Sequence, residues 1–246
     1  DWLRALTAAE LVKRNVKEVE RDPLNLGMTL VLPPALIVVL DALGGDDVEF
    51  LSPTMLAPGV ALFGFVMLMF SSALILARDR ESALLPRMLT APLSSRDFVG
   101  GYSIPYLGVA VVQTLVVFGV AALLGASTEG SVLPIALVLI LMAIFYVGLG
   151  MAFGSLLGVT ALSGAYTVIL LLTIFGGAWF DLAEIGGPFE TVGNVLPFKH
   201  ALDAMRAVMV DGDGLGAVGT DLVWVAGYTG ASVALAIAVF RRKMLE

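Results

Sequence analysis

Apolar positions fall into six long stretches, at residues 26–43, 56–77, 100–124, 132–157, 161–180 and 218–240. Each approaches the roughly 20 residues that a helix needs to cross a bilayer. The remaining segments carry a different pattern. Residues 7–22 have Val12, Val16 and Val19 at spacings of four and three, flanked by Lys13, Arg14, Lys17, Glu18 and Arg21, with Pro23 as the stop. That pattern predicts an amphipathic helix on the membrane surface, and Thr7-Ala8-Ala9-Glu10 reads as its capping box. It is either a plain juxtamembrane anchor or a lever that also touches a cytoplasmic partner.

Between the second and third stretches, Leu84, Leu85, Met88 and Leu89 share one helical face before Ala91-Pro92 stops the turn, and Ser94 with Asp97 starts the next helix. So short an apolar face cannot make a core of its own. It lies on lipid or docks into another protein, and the second reading is the sharper. The long connection at 181–217 holds an apolar-periodic piece from Val195 to Val210, too short and too charged to span. It reads as a pair of short re-entrant or interfacial helices. Pro33-Pro34 and Pro105 are expected near the cytoplasmic ends of their spans, where a broken hydrogen-bond ladder is easiest to satisfy. The predicted fold is therefore an all-α integral membrane protein with six transmembrane helices. Its organisation is an N-terminal interface helix at 1–25 followed by a six-helix transmembrane domain at 26–246.

Composition removes the soluble alternative. Of 246 residues, 59% are hydrophobic and 14% charged, and the mean hydropathy is +0.95. A soluble domain carries about 25% charged residues. Charge then sets the orientation. Of 14 Lys and Arg residues, five precede the first span, four lie between the second and third (Arg78, Arg80, Arg87, Arg96) and three follow the last (Arg241, Arg242, Lys243). Only Lys199 and Arg206 fall on the other side. The excess of bases predicts both termini in the cytoplasm. The opposite face is acidic, from Asp41, Asp46, Asp47 and Glu49 through to Asp221, which reads as a solvated surface and raises the expectation of a high-salt habitat. The first apolar run is too long and too late for a cleavable signal peptide, and the start at Asp1 without Met is read as trimming of a few residues.

Candidate chemistry is sparse. No Gly-Lys pair is present, so no phosphate-cradling loop is expected. There is no cysteine, and His200 is the sole histidine, which makes a catalytic triad or a metal centre a poor reading. The spans lack the mid-membrane carboxylates of ion-coupled transporters. Active transport would thus need an external motor. Gly150, Gly154 and Gly158, with Gly148 nearby, form a small-xxx-small stripe on the fourth span, expected to pack within the protomer.

Two segments carry a resemblance. The run from Arg78-Asp79-Arg80-Glu81 through Leu84-Leu85-Pro86-Arg87-Met88-Leu89 to Pro92-Leu93-Ser94 resembles the loop between spans two and three of type-2 ATP-binding cassette (ABC) permeases. The run from Asn194 through Pro197-Phe198-Lys199-His200 to Asp203 and Arg206 is similar to that family's outer segment before the last span. Tyr102 departs from the pattern, where a Lys is common, and Leu85-Pro86 replaces a commoner Leu-Glu.

The resemblance implies a permease subunit in the cell membrane of a prokaryote, paired with a second copy and with two separate ATP-hydrolysing subunits. Those partners would hold the ATP and Mg²⁺; this chain would bind no cofactor and no nucleic acid. Arg80, Glu81, Leu84, Leu85, Arg87, Met88 and Leu89 would form the coupling helix, and Pro197, Phe198, Lys199, His200, Asp203 and Arg206 the outer gate segment. The expected activity is outward transport of a hydrophobic or amphipathic substrate such as a drug, a lipid or a lipid-linked glycan. The alternatives are a membrane-embedded enzyme, or a structural or regulatory membrane protein without transport activity.

Overall fold

The computed structural model describes residues 2–44, 49–82, 85, 88–90, 93–178, 187, 191 and 193–244. Among these the regular structure is helical, with no strand, and turns or short loops join the helices: α1 (Trp2–Glu20), α2 (Pro23–Gly44), α3 (Pro53–Glu81), α4 (Ser95–Leu123), α5 (Val132–Leu156), α6 (Val159–Thr173, extended by a π turn at Ile174–Ala178), α7 (Pro197–Val210) and α8 (Gly219–Met244). Helices α2, α3, α4, α5, α8 and α6 with its π turn are each long and apolar enough to cross a membrane.

Local chemistry explains where these helices begin and end. Asp22 accepts a hydrogen bond from the Asn25 backbone N at 3.1 Å, and Pro23 fills the first helical position of α2, where a missing N–H costs nothing. Asp97 accepts from the Ser94 backbone N and hydroxyl, both at 2.7 Å, as the sequence predicts for the start of α4. The start of α1 differs from expectation. The helix runs from Trp2, so Thr7 lies inside it rather than at its cap position; Leu3-Arg4-Ala5-Leu6 are good helix formers and extend it backwards. Pro33-Pro34 also differ: α2 begins at Pro23, which places the pair midway along the helix.

Helix α3 is the central shaft. In its most apolar window 83% of residues are buried, against 56% for α5 and 28% or less for the others. Its sequence is apolar all round, as a helix surrounded by other helices requires. The glycine stripe of α5 makes this packing close. A Cβ on Gly150 would sit 2.5 Å from the Met69 carbonyl oxygen, and one on Gly154 would sit 2.6 Å from that of Ala73. A Cβ on Gly148 would meet Ser232 Oγ on α8 at 2.8 Å. The stripe therefore packs inside this chain, one edge on α3 and the other on α8.

A candidate coupling face and a candidate gate

At the end of the bundle that carries both chain termini, three consecutive residues of α3 reach three different elements. Asp79, nearly buried, accepts from Arg14 of α1 through both carboxylate oxygens, one contact at 3.0 Å. The Tyr102 hydroxyl of α4 donates to the same carboxylate at 2.7 Å. Beside it the Asn15 amide donates to the Gly101 carbonyl at 2.9 Å. Partial burial disfavours the Arg14 charge, but the hydrogen bond and negative charge of Asp79 outweigh it and raise its pKa above the ordinary value. Helix α1 is thus fastened to the spans by a satisfied polar network.

The inward stripe of α1 is Leu11 and Asn15, both buried, with Val19 partly buried; it keeps the predicted Val19 and places Leu11 and Asn15 one residue before the predicted Val12 and Val16. The reason lies in α4. Leu11 covers Gly101, where a Cβ would approach Leu11 Cδ2 to 2.6 Å, and the neighbouring carbonyl rewards a polar Asn15. Tyr102, where the resemblance raises the expectation of a Lys, is fully buried and donates to Asp79.

The next two residues close the turn between α5 and α6. Arg80, half-buried, donates to the Ser155 and Leu157 carbonyls, each at 2.6 Å. Glu81 accepts from the Val159 backbone N at 3.0 Å. A cation therefore caps the end of α5 and an anion the start of α6, both matched to the helix dipoles. Of the other predicted coupling residues, Leu85 is buried in the core, and Met88 and Leu89 pack half-buried against it. The Leu89 N–H bonds the Leu85 carbonyl at 2.9 Å, which makes one helical turn. The apolar side of this turn faces the chain's own helices. Leu84 and Arg87 lie outside the described residues.

At the opposite end, α7 lies across the ends of α3, α5 and α8. Its apolar face is buried through Phe198, Leu202, Met205 and Val208. Phe198 stacks on Tyr146 of α5 with ring centroids 5.8 Å apart, and the Tyr146 hydroxyl bonds Thr173 Oγ1 of α6 at 2.7 Å. Pro197 occupies the first helical turn. Two of the polar residues pair within α7, and His200 and Arg206 reach other elements. Lys199 pairs with Asp203 at 2.7 Å, one helical turn on. His200 places Nδ1 2.7 Å from Asp221 Oδ1 of α8 and Nε2 3.0 Å from the Asn194 carbonyl, and its ring stacks on Trp224 at 5.0 Å with only 4° between the planes.

Arg206 donates to the Gly177 carbonyl at 3.0 Å and the Ala178 carbonyl at 3.2 Å, capping the end of the fifth span. The same guanidinium reaches Met55 O at the start of α3 at 3.4 Å and lies 4.8 Å over the Phe50 ring. Gly177 has φ 100°, a left-handed turn that glycine adopts without strain and that ends the span there. The last two residues of the predicted fifth span, 179–180, and residues 181–186, 188–190 and 192 of the predicted connection lie outside the described residues. Among the described residues no group of His, Asp and Glu has the makings of a metal site.

The family of ABC-2 type transporters matches residues 8–210 of this chain. The chain is also similar to nodulation protein J of Rhizobium meliloti (strain 1021), 33% identical over 105 residues. That match covers 39% of this chain and 40% of the relative, so it spans well under half the length of each.

Proposed function

The chain belongs to the ABC-2 type transporter family, as a transport permease, and from that premise we propose that it is the membrane half of an exporter driven by separate ATP-hydrolysing subunits. The supporting observation is the run Asp79-Arg80-Glu81. It sits where the predicted coupling loop leaves the most buried helix of the bundle, and it is bonded to α1, to α4 and to the α5–α6 turn. A push on the loop is delivered to all of these together, because bonded and packed elements move as bodies rather than deform.

In this reading the coupling surface comprises Arg80, Glu81, Leu84, Leu85, Arg87, Met88 and Leu89. Leu85, Met88 and Leu89 key the loop into the permease, and Arg87 is the base it offers to the ATPase. The termini and this loop face the cytoplasm, where the excess of bases belongs. Two copies of the permease and two ATPase subunits form the working unit, with ATP and Mg²⁺ held by the latter. At the other end, Pro197, Phe198, Lys199, His200, Asp203 and Arg206 form the gate. Arg206 joins the end of the fifth span to the start of the second, so rocking of those helices would be felt directly by α7. Spans without charged side chains near mid-membrane suit a hydrophobic or amphipathic cargo, moved outward: a drug, a lipid or a lipid-linked glycan.

The test is ATP hydrolysis in proteoliposomes that hold this chain with its ATPase partner. One or more members of a panel of such compounds should stimulate turnover, and the Arg80→Glu/Arg87→Glu variant should lose that stimulation. A variant with wild-type stimulation would refute the coupling role.

A further inference from the structure

Where α1 turns into α2, a cavity of about 250 Å³ opens between that elbow and the sides of α3 and α4. It lies at the bundle end that carries the termini, outside both the Asp79–Glu81 network and the α7 gate. Four charged side chains ring its mouth: exposed Glu18 and Arg21 and half-buried Asp22 from the elbow, and exposed Arg78 from α3. Among the described residues none of the four makes an ion pair, although two cations and two anions share one small space. Asp22 spends one oxygen on the Asn25 N–H. Deeper in, the polar groups satisfy one another: Ser71 donates to Asn25 Oδ1 at 2.9 Å and Tyr106 donates to the Ser71 carbonyl at 3.1 Å. Leu26, Leu68, Leu74, Ile75 and Val109 make the walls apolar.

We propose that this cavity holds the headgroup of a membrane phospholipid, with the phosphodiester on Arg21 and Arg78 and a hydrogen-bond-donating headgroup terminus on Glu18 and Asp22. Opposite charges that ring one cavity mouth without pairing with each other are open to a ligand that carries both complements. An isolated anion would meet the two carboxylates, and an isolated cation the two guanidiniums. A phosphodiester bearing glycerol hydroxyls or a primary ammonium satisfies both sets, because each terminus has hydrogens to donate. A choline terminus has none. The apolar walls receive the first methylenes of the acyl chains, and the volume suits a headgroup rather than a whole lipid. The site is a resident-lipid site for the permease and stands whether or not the transported cargo is a lipid.

Native mass spectrometry of the full chain, released from detergent and titrated with phosphatidylglycerol, phosphatidylethanolamine, phosphatidylcholine and inorganic phosphate, tests this directly, since each adduct is identified by its mass. Phosphatidylglycerol and phosphatidylethanolamine should give a saturable single adduct at about tenfold lower concentration than phosphatidylcholine, a difference of one charge-assisted hydrogen bond. Arg21→Gln/Arg78→Gln should abolish the preference for phospholipid at this site, and Glu18→Ala should bring phosphatidylcholine level with phosphatidylglycerol. Equal binding of phosphatidylcholine to the unaltered chain would overturn the proposal, as would inorganic phosphate competing for the same adduct at equal strength. The comparison of lipids needs no variant, so it still decides the matter if a substituted chain fails to fold. Neither ATPase nor transport enters the readout, so failure here is separable from failure of the exporter reading.

Discussion

Removing the Arg80 guanidinium should uncap the α5–α6 turn and loosen the whole terminus-bearing end of the bundle. Arg80 makes two charge-assisted hydrogen bonds at 2.6 Å, to the Ser155 and Leu157 carbonyls. Such bonds are worth about 1.5–3 kcal/mol each, and the half-buried position argues for the lower figure. Arg80→Met should therefore cost about 3 kcal/mol, on the order of 100-fold in the unfolding equilibrium constant. Arg80→Lys keeps the charge but offers a point donor in place of a fork, so it should recover roughly half of that loss. Glu81→Ala removes one exposed cap and should cost about 0.5–1 kcal/mol. Because Arg80 and Glu81 close the same turn, the double variant should be non-additive. Denaturant unfolding in detergent, followed by tryptophan fluorescence, reads all four. If Arg80→Met unfolds at the wild-type midpoint, the turn is not held in this way.

Three further outcomes follow from the packing and the charge. Gly154→Val should be destabilising by about 1–3 kcal/mol in the same assay, since its Cβ would press on the Ala73 carbonyl oxygen; a neutral result would contradict the close α3–α5 contact. Tyr102→Phe should cost about 1–2 kcal/mol, because Asp79 loses a buried donor while Arg14 stays, and Tyr102→Phe/Asp79→Asn should lose little more than Asp79→Asn alone. The acidic connections at the α7 end should make stability rise from low to molar salt as repulsion is screened, with the Debye length falling from about 10 Å at 0.1 M to about 3 Å at 1 M. A flat salt response would remove the high-salt habitat as an explanation of that acidity.

The six spans were legible because bilayer-length apolar runs are a one-dimensional signal, and Ser94 with Asp97 because a capping box is local. Gly150 and Gly154 were legible as close-packing positions for the same reason; which helices they meet was not. Local sequence misplaced the start of α1, since Thr7 has the chemistry of a cap but lies within a run that is helix-forming on both sides. The rotation of the α1 stripe was hidden because Asn15 is buried by a carbonyl 86 positions away. The partnership of Arg14 with Asp79, 65 positions apart, is a tertiary fact that no spacing rule anticipates. Arg80 illustrates the same limit on function. The sequence offers it as a base of the loop, and the resemblance as a coupling residue; that its guanidinium is taken up by the carbonyls of the α5–α6 turn is visible only in the folded chain. Gln113 left no signal either: it lies buried in α4, donating to the Ala61 carbonyl at 3.1 Å.

The central claim is that driving force enters at the bundle end formed by the α3–α4 loop, and that this end is cytoplasmic. The chain has no cysteine, so single cysteines report without background. Thr90→Cys marks the loop and Gly216→Cys marks the opposite end; both positions are exposed. With a membrane-impermeant maleimide, Gly216→Cys should react in intact cells and Thr90→Cys only after permeabilisation. Labelling of Thr90→Cys from outside intact cells would place the loop beyond the reach of any cytoplasmic ATPase and contradict the account.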